Sequence, residues 1–211
     1  MKILVTAALI PFKEKEREQE YRTAMASLVQ LADYYSSEAD PCEVLVIEST
    51  GNQIPSLFEE FVPAENIVYT KTNNPNFRNK GVNEFISVRE GLKTFFERGK
   101  IKEKEFLVKI TGRYVFTSRR FLNIVSDSDV WPVAYDLICS LNPDGQMFTG
   151  LLGIRAQNLL DICEVINYDF IETHMINVER IFADLSAAEK VYYLPELGIK
   201  GQCAQGVPFT R

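Results

Sequence analysis

Phe106–Ile110 reads FLVKI, an apolar run of strand length that ends in the polar tip Thr111-Gly112-Arg113-Tyr114. A run of this kind is buried on both faces when it forms a strand, which requires helices above and below the sheet. That requirement steers the chain towards an α/β fold. In open sheets of this class, ligands bind just beyond the carboxyl ends of the strands. Thr111 offers a hydroxyl there, Gly112 permits close approach to the backbone, and Arg113 brings a permanent charge suited to phosphate or carboxylate. The plain alternative is a β-turn followed by a surface arginine.

The surrounding pattern supports a sheet. Lys2–Ile10, Cys42–Ile47 (CEVLVI) and Asn66–Tyr69 read as three further strands. Between them lie two amphipathic helices. Glu16–Tyr35 places Tyr21, Met25, Leu28, Val29 and Ala32 on one face, and Gly81–Phe96 does the same with Val82, Phe85, Ile86, Val88, Leu92 and Phe95. A short helix is expected over Ile54–Phe61 and another over Ser118–Val125. Val130–Ile138 and Met147–Ile154 read as strands joined by the turn Asn142-Pro143-Asp144-Gly145. Helices over Gln157–Ile166 and Thr173–Leu185 follow, then a glycine-rich tail. The expectation is one α/β domain over residues 1–211, with a mostly parallel central sheet flanked by helices.

Composition narrows the function. A net charge of −6 argues against nucleic acid as a partner, because that surface must be basic. A small anion held by a few local cations is still allowed. Cys42, Cys139, Cys163 and Cys203 are scattered without a CxxC pair, so neither a zinc site nor a disulfide framework is indicated. The opening MKILVTAALIPFKEKERE has one early lysine and runs into dense charge after Pro11, which fits a core strand better than a signal peptide. No run reaches the length of a membrane span, and a cytoplasmic protein is expected.

Asn73–Glu84 (NNPNFRNKGVNE) is the second informative segment. Arg78 and Lys80 stand immediately before a helix, with Gly81 at its start. A helix N-terminus offers unpaired N–H groups and partial positive charge, so a diphosphate site is expected there; a solvated basic loop with a helix cap is the alternative. The Walker pattern G-x-x-x-x-G-K-[ST] is absent, and G-x-G-x-x-G does not follow strand one.

In this order, the features resemble a glycosyltransferase of the GT-A fold, the nucleotide-diphospho-sugar transferase type of sheet. The K-x-T-G-R-Y form of Lys109–Tyr114 is similar to a branch of small polysaccharide and viral glycosyltransferases, including amino-terminal domains of multidomain chlorella virus enzymes. The resemblance implies a nucleotide cradle at Ala8, Leu9, Ile10 and Pro11, a base or ribose contact at Glu48, Ser49 and Thr50, and diphosphate contacts at Arg78, Lys80 and Gly81. Thr111, Gly112 and Arg113 stand where that family usually carries Asp-x-Asp. A metal-binding carboxylate pair is therefore missing, and Arg113 is the candidate to stabilise leaving-group charge in its place. A divalent cation (Mn2+ or Mg2+) held by the diphosphate and a carboxylate from elsewhere is the other expectation.

On this resemblance the donor is a UDP-sugar and the acceptor a glycan or other hydroxyl, with hexosyl or deoxyhexosyl transfer as the reaction. The chain would then be one domain of a larger polypeptide, in host cytoplasm if viral. Glu172, Glu179 and Asp136 are the candidate bases for an acceptor hydroxyl, and His174 is a further acceptor-side candidate. Asp127-Ser128-Asp129 is a literal Asp-x-Asp, but it follows a helix, where loop acids ordinarily cap or solvate. Trp131 is expected to pack in its strand, while Gly150 and Gly153 leave room either for a sugar or for close packing. Two rival functions are a sugar nucleotidyltransferase, whose usual glycine-rich loop after strand one is lacking, and a non-catalytic nucleotide- or carbohydrate-binding module.

Overall fold

A computed structural model describes residues 1–8, 14–50, 57–127, 135–142, 145–186, 189–202 and 208–211. The βα alternation forms as the apolar periodicity requires. Strand β1 (Lys2–Ala7) leads to α1 (Glu14–Tyr35), β2 (Glu43–Glu48), β3 (Ile67–Tyr69), α2 (Lys80–Glu97) and β4 (Phe106–Thr111). The chain continues through β5 (Val115–Phe116), α3 (Arg120–Ser126), β6 (Leu137–Cys139), β7 (Leu151–Arg155) and α4 (Ala156–Val165). It closes with α5 (Tyr168–His174), α6 (Val178–Leu185), β8 (Val191–Tyr193), β9 (Ile199–Gln202) and β10 (Pro208–Thr210).

Seven strands form one sheet in the order β3-β2-β1-β4-β7-β6-β8, and β10-β9-β5 form a smaller one. The pairs β1–β2, β1–β4, β2–β3 and β6–β8 are parallel; β7 runs antiparallel between β4 and β6. The two-residue period of the strands sorts the core into two layers. Leu4, Leu45, Ile47 and Leu107 face α2 and the α4–α6 group. Ile3, Val5, Val44, Val108 and Ile110 face α1, α3 and Ile199 of the small sheet. Residues 106–110 are thus covered on both sides, as their composition demanded.

Several expectations change. The helix read over Thr173–Leu185 is two helices: Met175 adopts φ 53° and ends α5, and Asn177 then caps α6 by accepting from the Glu179 N–H at 3.0 Å. The glycine-rich tail carries three strands, β8 to β10. The strand read over Met147–Ile154 starts later, at Leu151, with Met147 in an isolated bridge to Leu141. Of the helix expected over Ile54–Phe61, residues 57–61 form a turn instead, and of the strand over Val130–Ile138 only Leu137 and Ile138 are strand; the remaining parts, 54–56 and 130–134, lie outside the described residues. Among the described residues, no helix is long and apolar enough to cross a membrane.

Candidate functional site

The chain builds β1, β2 and β3 in one direction across the sheet, then returns to lay β4 against the other side of β1. The strand order therefore reverses between β1 and β4, and the crevice outside their carboxyl ends is the natural ligand position in such a sheet. Register aligns Thr6 with Thr111 and Ala7 with Glu48 at that edge. The edge is tied together by backbone bonds: Gly112 N–H donates to Thr6 O at 2.8 Å and Ser49 N–H to Ala7 O at 2.9 Å. Ala8 N–H donates to the Tyr21 hydroxyl at 2.8 Å, which fixes the chain as it leaves β1. Glu48 is fully buried, and its Oε1 accepts from the Thr50 N–H at 3.1 Å and the Thr50 hydroxyl at 2.7 Å.

Directly under the β1/β4 reversal lies a polar cluster. Thr6, Lys109 and Thr111 share the strand face turned towards α2, and Glu84 projects from the second turn of that helix. Glu84 Oε1 accepts from the Thr6 hydroxyl (2.5 Å), the Lys109 ammonium (2.6 Å) and the Thr111 hydroxyl (3.0 Å). Lys109 also donates to Thr149 O at 2.7 Å. The Lys109 side chain is 0% exposed and that of Glu84 24%. Burial alone would raise the Glu84 pKa, but the Lys109 charge and the three hydrogen bonds outweigh it and hold the carboxyl below its ordinary value. The second carboxylate oxygen carries no hydrogen bond among the described residues. Neither Lys109 nor Glu84 was singled out from sequence. The available signal was a lone lysine inside a strand covered on both faces, since a buried ammonium requires a counter-charge.

The start of α2 brings together Arg78, Lys80, Gly81 and Glu172, with Glu179 nearby at the start of α6. Asn79 caps the helix by accepting from the Gly81 N–H at 3.1 Å. The Glu172 carboxylate accepts from the backbone N–H groups of Arg78 (2.7 Å) and Asn79 (3.0 Å). Those two bonds, the Arg78 one first, hold its pKa below the ordinary value. The position expected for a diphosphate is thus filled by the protein's own carboxylate. Arg78 and Lys80 are exposed, and Lys80 Nζ donates to Phe77 O at 2.8 Å. A Cβ on Gly81 would collide with Val178, so this glycine lets α6 approach α2.

Arg113 turns the other way, towards α1. Its guanidinium lies 3.5 Å from Glu20 with the side chain 12% exposed. It lines a cavity of about 580 Å³ between α1 and the small sheet. Gly112 serves packing: a Cβ would stand 2.8 Å from Val5 Cγ1, 3.0 Å from Tyr21 Cε1 and 3.1 Å from Thr6 O. Gly150 is closed off by Tyr114 and Phe148, and Gly153 by Phe106 and Ile138.

Asp136 is not at this edge. It precedes β6 at the opposite end of the sheet, 3.3 Å from Arg155. His174 is exposed, its Nδ1 3.0 Å from Phe170 O, and Asp127 follows α3. Leu9, Ile10, Pro11, Ser128, Asp129 and Trp131 lie outside the described residues. Among the described residues, no three His, Cys, Asp or Glu side chains converge on a point that would hold a metal ion. The end of β4 does not fit one either: the Thr111 hydroxyl is engaged by Glu84, Gly112 has no side chain, and Arg113 is cationic.

No protein-family profile and no curated protein matches this chain. Solved structures do. One described as 4-diphosphocytidyl-2C-methyl-D-erythritol synthase aligns over 100% of this chain and 92% of its own, with a TM-score of 0.54 at 12% identity. Another, described as a glucose-1-phosphate thymidylyltransferase from Bacillus anthracis in complex with a sucrose, covers 95% of this chain and 89% of its own. Its TM-score is 0.57 at 10% identity. At such identities the likeness speaks for architecture: this is the GT-A-like fold of nucleotide-diphospho-sugar transferases.

Proposed function

We propose that the chain is a transferase acting at the diphosphate linkage of a nucleotide sugar, with the nucleotide across the carboxyl ends of β1, β2 and β4. The observation that carries this reading is the reversal of strand order between β1 and β4. Thr6, Thr111 and the half-buried Glu84 carboxylate gather there, with Glu48 and Thr50 one strand away. Ala8 and the neighbouring Leu9, Ile10 and Pro11 cradle the base, Glu48 to Thr50 face the nucleoside, and Arg113 assists the charge on the leaving diphosphate. A divalent cation, Mn2+ or Mg2+, would travel with the diphosphate. The Glu84 carboxylate oxygen that carries no hydrogen bond among the described residues is a candidate to share it.

Two reactions use such a site. Transfer of a hexose or deoxyhexose from a UDP-sugar to a glycan hydroxyl is favoured by residues 8–17, ALIPFKEKER, which lack the glycine-rich loop of nucleotidyltransferases. In that reaction Glu172 and Glu179 are the acceptor-side carboxylates, and the narrower likeness to viral polysaccharide enzymes belongs to it. Nucleotidyl transfer onto a sugar phosphate is favoured by the descriptions of the two structural neighbours. The test is a pair of assays on one preparation, UDP release from UDP-sugars and pyrophosphate release from nucleoside triphosphate plus sugar 1-phosphate. Either product assigns its reaction; nucleotide binding with neither product would make the chain a binding module and overturn the enzymatic reading.

A further inference from the structure

The crevice at the β1/β4 reversal leaves the cavity on the α1 side unexplained. Its walls are Glu20 and Thr23 of α1, Arg113 and Val115 from the segment leaving β4, Lys200 of β9 and Phe209 of β10. At about 580 Å³ it is in the range of small-ligand sites, roughly 300–1,000 Å³. Its chemistry is specific. Arg113 is largely buried, yet among the described residues its one ionic contact is the 3.5 Å approach to Glu20, longer than a well-formed charge-assisted bond of about 2.7–2.9 Å. A guanidinium has five N–H donors, so most of this one's capacity is unused among the described residues. Lys200 is exposed and its ammonium has no ion pair among the described residues. Two cations therefore face one carboxylate, in a chain whose net charge is −6. Phe209 is held edge-on to Tyr114 at 5.0 Å and presents an apolar wall; Thr210 contributes a hydroxyl, and that of Thr23, which donates to Gln19 O at 2.9 Å, is left as an acceptor.

We infer that this cavity binds a saccharide carrying an anionic group, a carboxylate or a phosphate. The apolar wall suits the C–H face of a sugar ring, the threonines suit its hydroxyls, and the surplus positive charge selects the anion. Arg113 follows Gly112, whose N–H bonds Thr6 O, so the cavity lies beside the donor crevice and its occupant is the second substrate. That role rests on the transferase reading; the binding itself does not.

The test titrates the full chain with glucuronate, glucose 1-phosphate and glucose by ligand-observed NMR or calorimetry, with and without UDP. Both or one of the anionic sugars should bind, with glucose about tenfold weaker or worse. Lys200→Glu, on the exposed face of a strand, should weaken the bound anion about tenfold while UDP affinity stays within about twofold. Preference for glucuronate identifies an acidic glycan as the occupant, and preference for glucose 1-phosphate a sugar phosphate. Glucose binding as tightly as the anions, no anion binding, or indifference to Lys200→Glu in a variant that melts like the wild type would overturn the inference. Competitive displacement by UDP would also overturn it, because the cavity would then belong to the donor. Anionic-sugar binding without any UDP binding would keep the cavity assignment and sink the nucleotide-sugar reading.

Discussion

Glu84→Gln isolates the buried charge beneath the crevice. The substitution keeps the shape of the side chain and leaves an oxygen to accept from Thr6, Lys109 and Thr111, but it removes the counter-charge of an ammonium that is 0% exposed. An unpaired buried ammonium is costlier than releasing its proton, so Lys109 in the variant folds as a neutral amine. Holding a lysine of ordinary pKa near 10.4 neutral at pH 7 costs about 4–5 kcal/mol, and this sets the upper bound of the loss. That is a large share of the 5–15 kcal/mol typical of a domain.

The loss has a pH signature. The folded variant then binds one proton fewer than its unfolded chain, so its stability relative to the wild type should rise with pH by about 1.4 kcal/mol per unit between pH 7 and 9. Urea unfolding of both proteins across that range measures the difference directly. Lys109→Met should cost less at pH 7, about 1–3 kcal/mol, since Glu84 is partly solvated and keeps two hydroxyl donors while Thr149 O loses one. The double variant should recover part of both losses. A deficit for Glu84→Gln that is flat from pH 7 to 9, or smaller than that of Lys109→Met, would refute the buried-ammonium argument.

Three further outcomes are expected. Gly112→Ala should lose about 1–3 kcal/mol in urea unfolding, because the new methyl meets Val5, Tyr21 and the Thr6 carbonyl; unchanged stability would mean those neighbours yield freely. Glu172→Gln should lower the melting temperature at neutral pH. The wild type's folded Glu172 pKa is depressed, so its contribution is present above the unfolded pKa and fades as pH falls through the folded one. A melting difference that persists in strong acid would show that the charge is not what caps α2. Lys80→Ala should weaken UDP by about 1 kcal/mol in calorimetry, more than uridine and less so in high salt; equal losses for both ligands would remove the lysine from the diphosphate's field.

The strands and the first two helices were legible because their burial follows simple periods. CEVLVI and FLVKI are continuous apolar runs, and Val82, Phe85, Val88, Leu92 and Phe95 recur at helical spacing and are fully buried, with Ile86 beside them only partly so. The break at Met175 was not legible: a methionine at φ 53° carries none of the glycine or asparagine signal that marks a helix end. Strands β8 to β10 are three or four residues long, too short for a two-residue period to stand out. At the site, the lysine in FLVKI was an unread signal of a buried charge, and its partner stands 25 residues earlier, set by how α2 sits over β1 and β4. The basic start of α2 was equally legible as a place for an anion. That Glu172, 93 residues beyond Asn79, would be the anion follows only from how α5 packs.

The distribution of charge orders a nucleotide sugar on the proposed site. Two carboxylates stand at this edge, Glu48 at the end of β2 with Oε1 held by Thr50 and Glu84 on α2 with Oε1 held by Thr6, Lys109 and Thr111. Glu48 is fully buried and accepts from Thr50, so on the proposed reading its side takes the hydroxyls and base of a nucleoside rather than the phosphates, which a carboxylate repels. The start of α2 attracts phosphate at long range through Arg78 and Lys80, but its nearest N–H groups are spent on Glu172. Arg113 is different: it stands at the exit of β4, paired with Glu20 at 3.5 Å and with donors to spare among the described residues. On the proposed reading, direct contact with the diphosphate would fall to Arg113, and the reacting end of the nucleotide sugar would point towards the α1-side cavity that the same guanidinium lines. One side chain then serves both substrates, which is how a fold without an Asp-x-Asp at this strand end would bring donor charge and acceptor together.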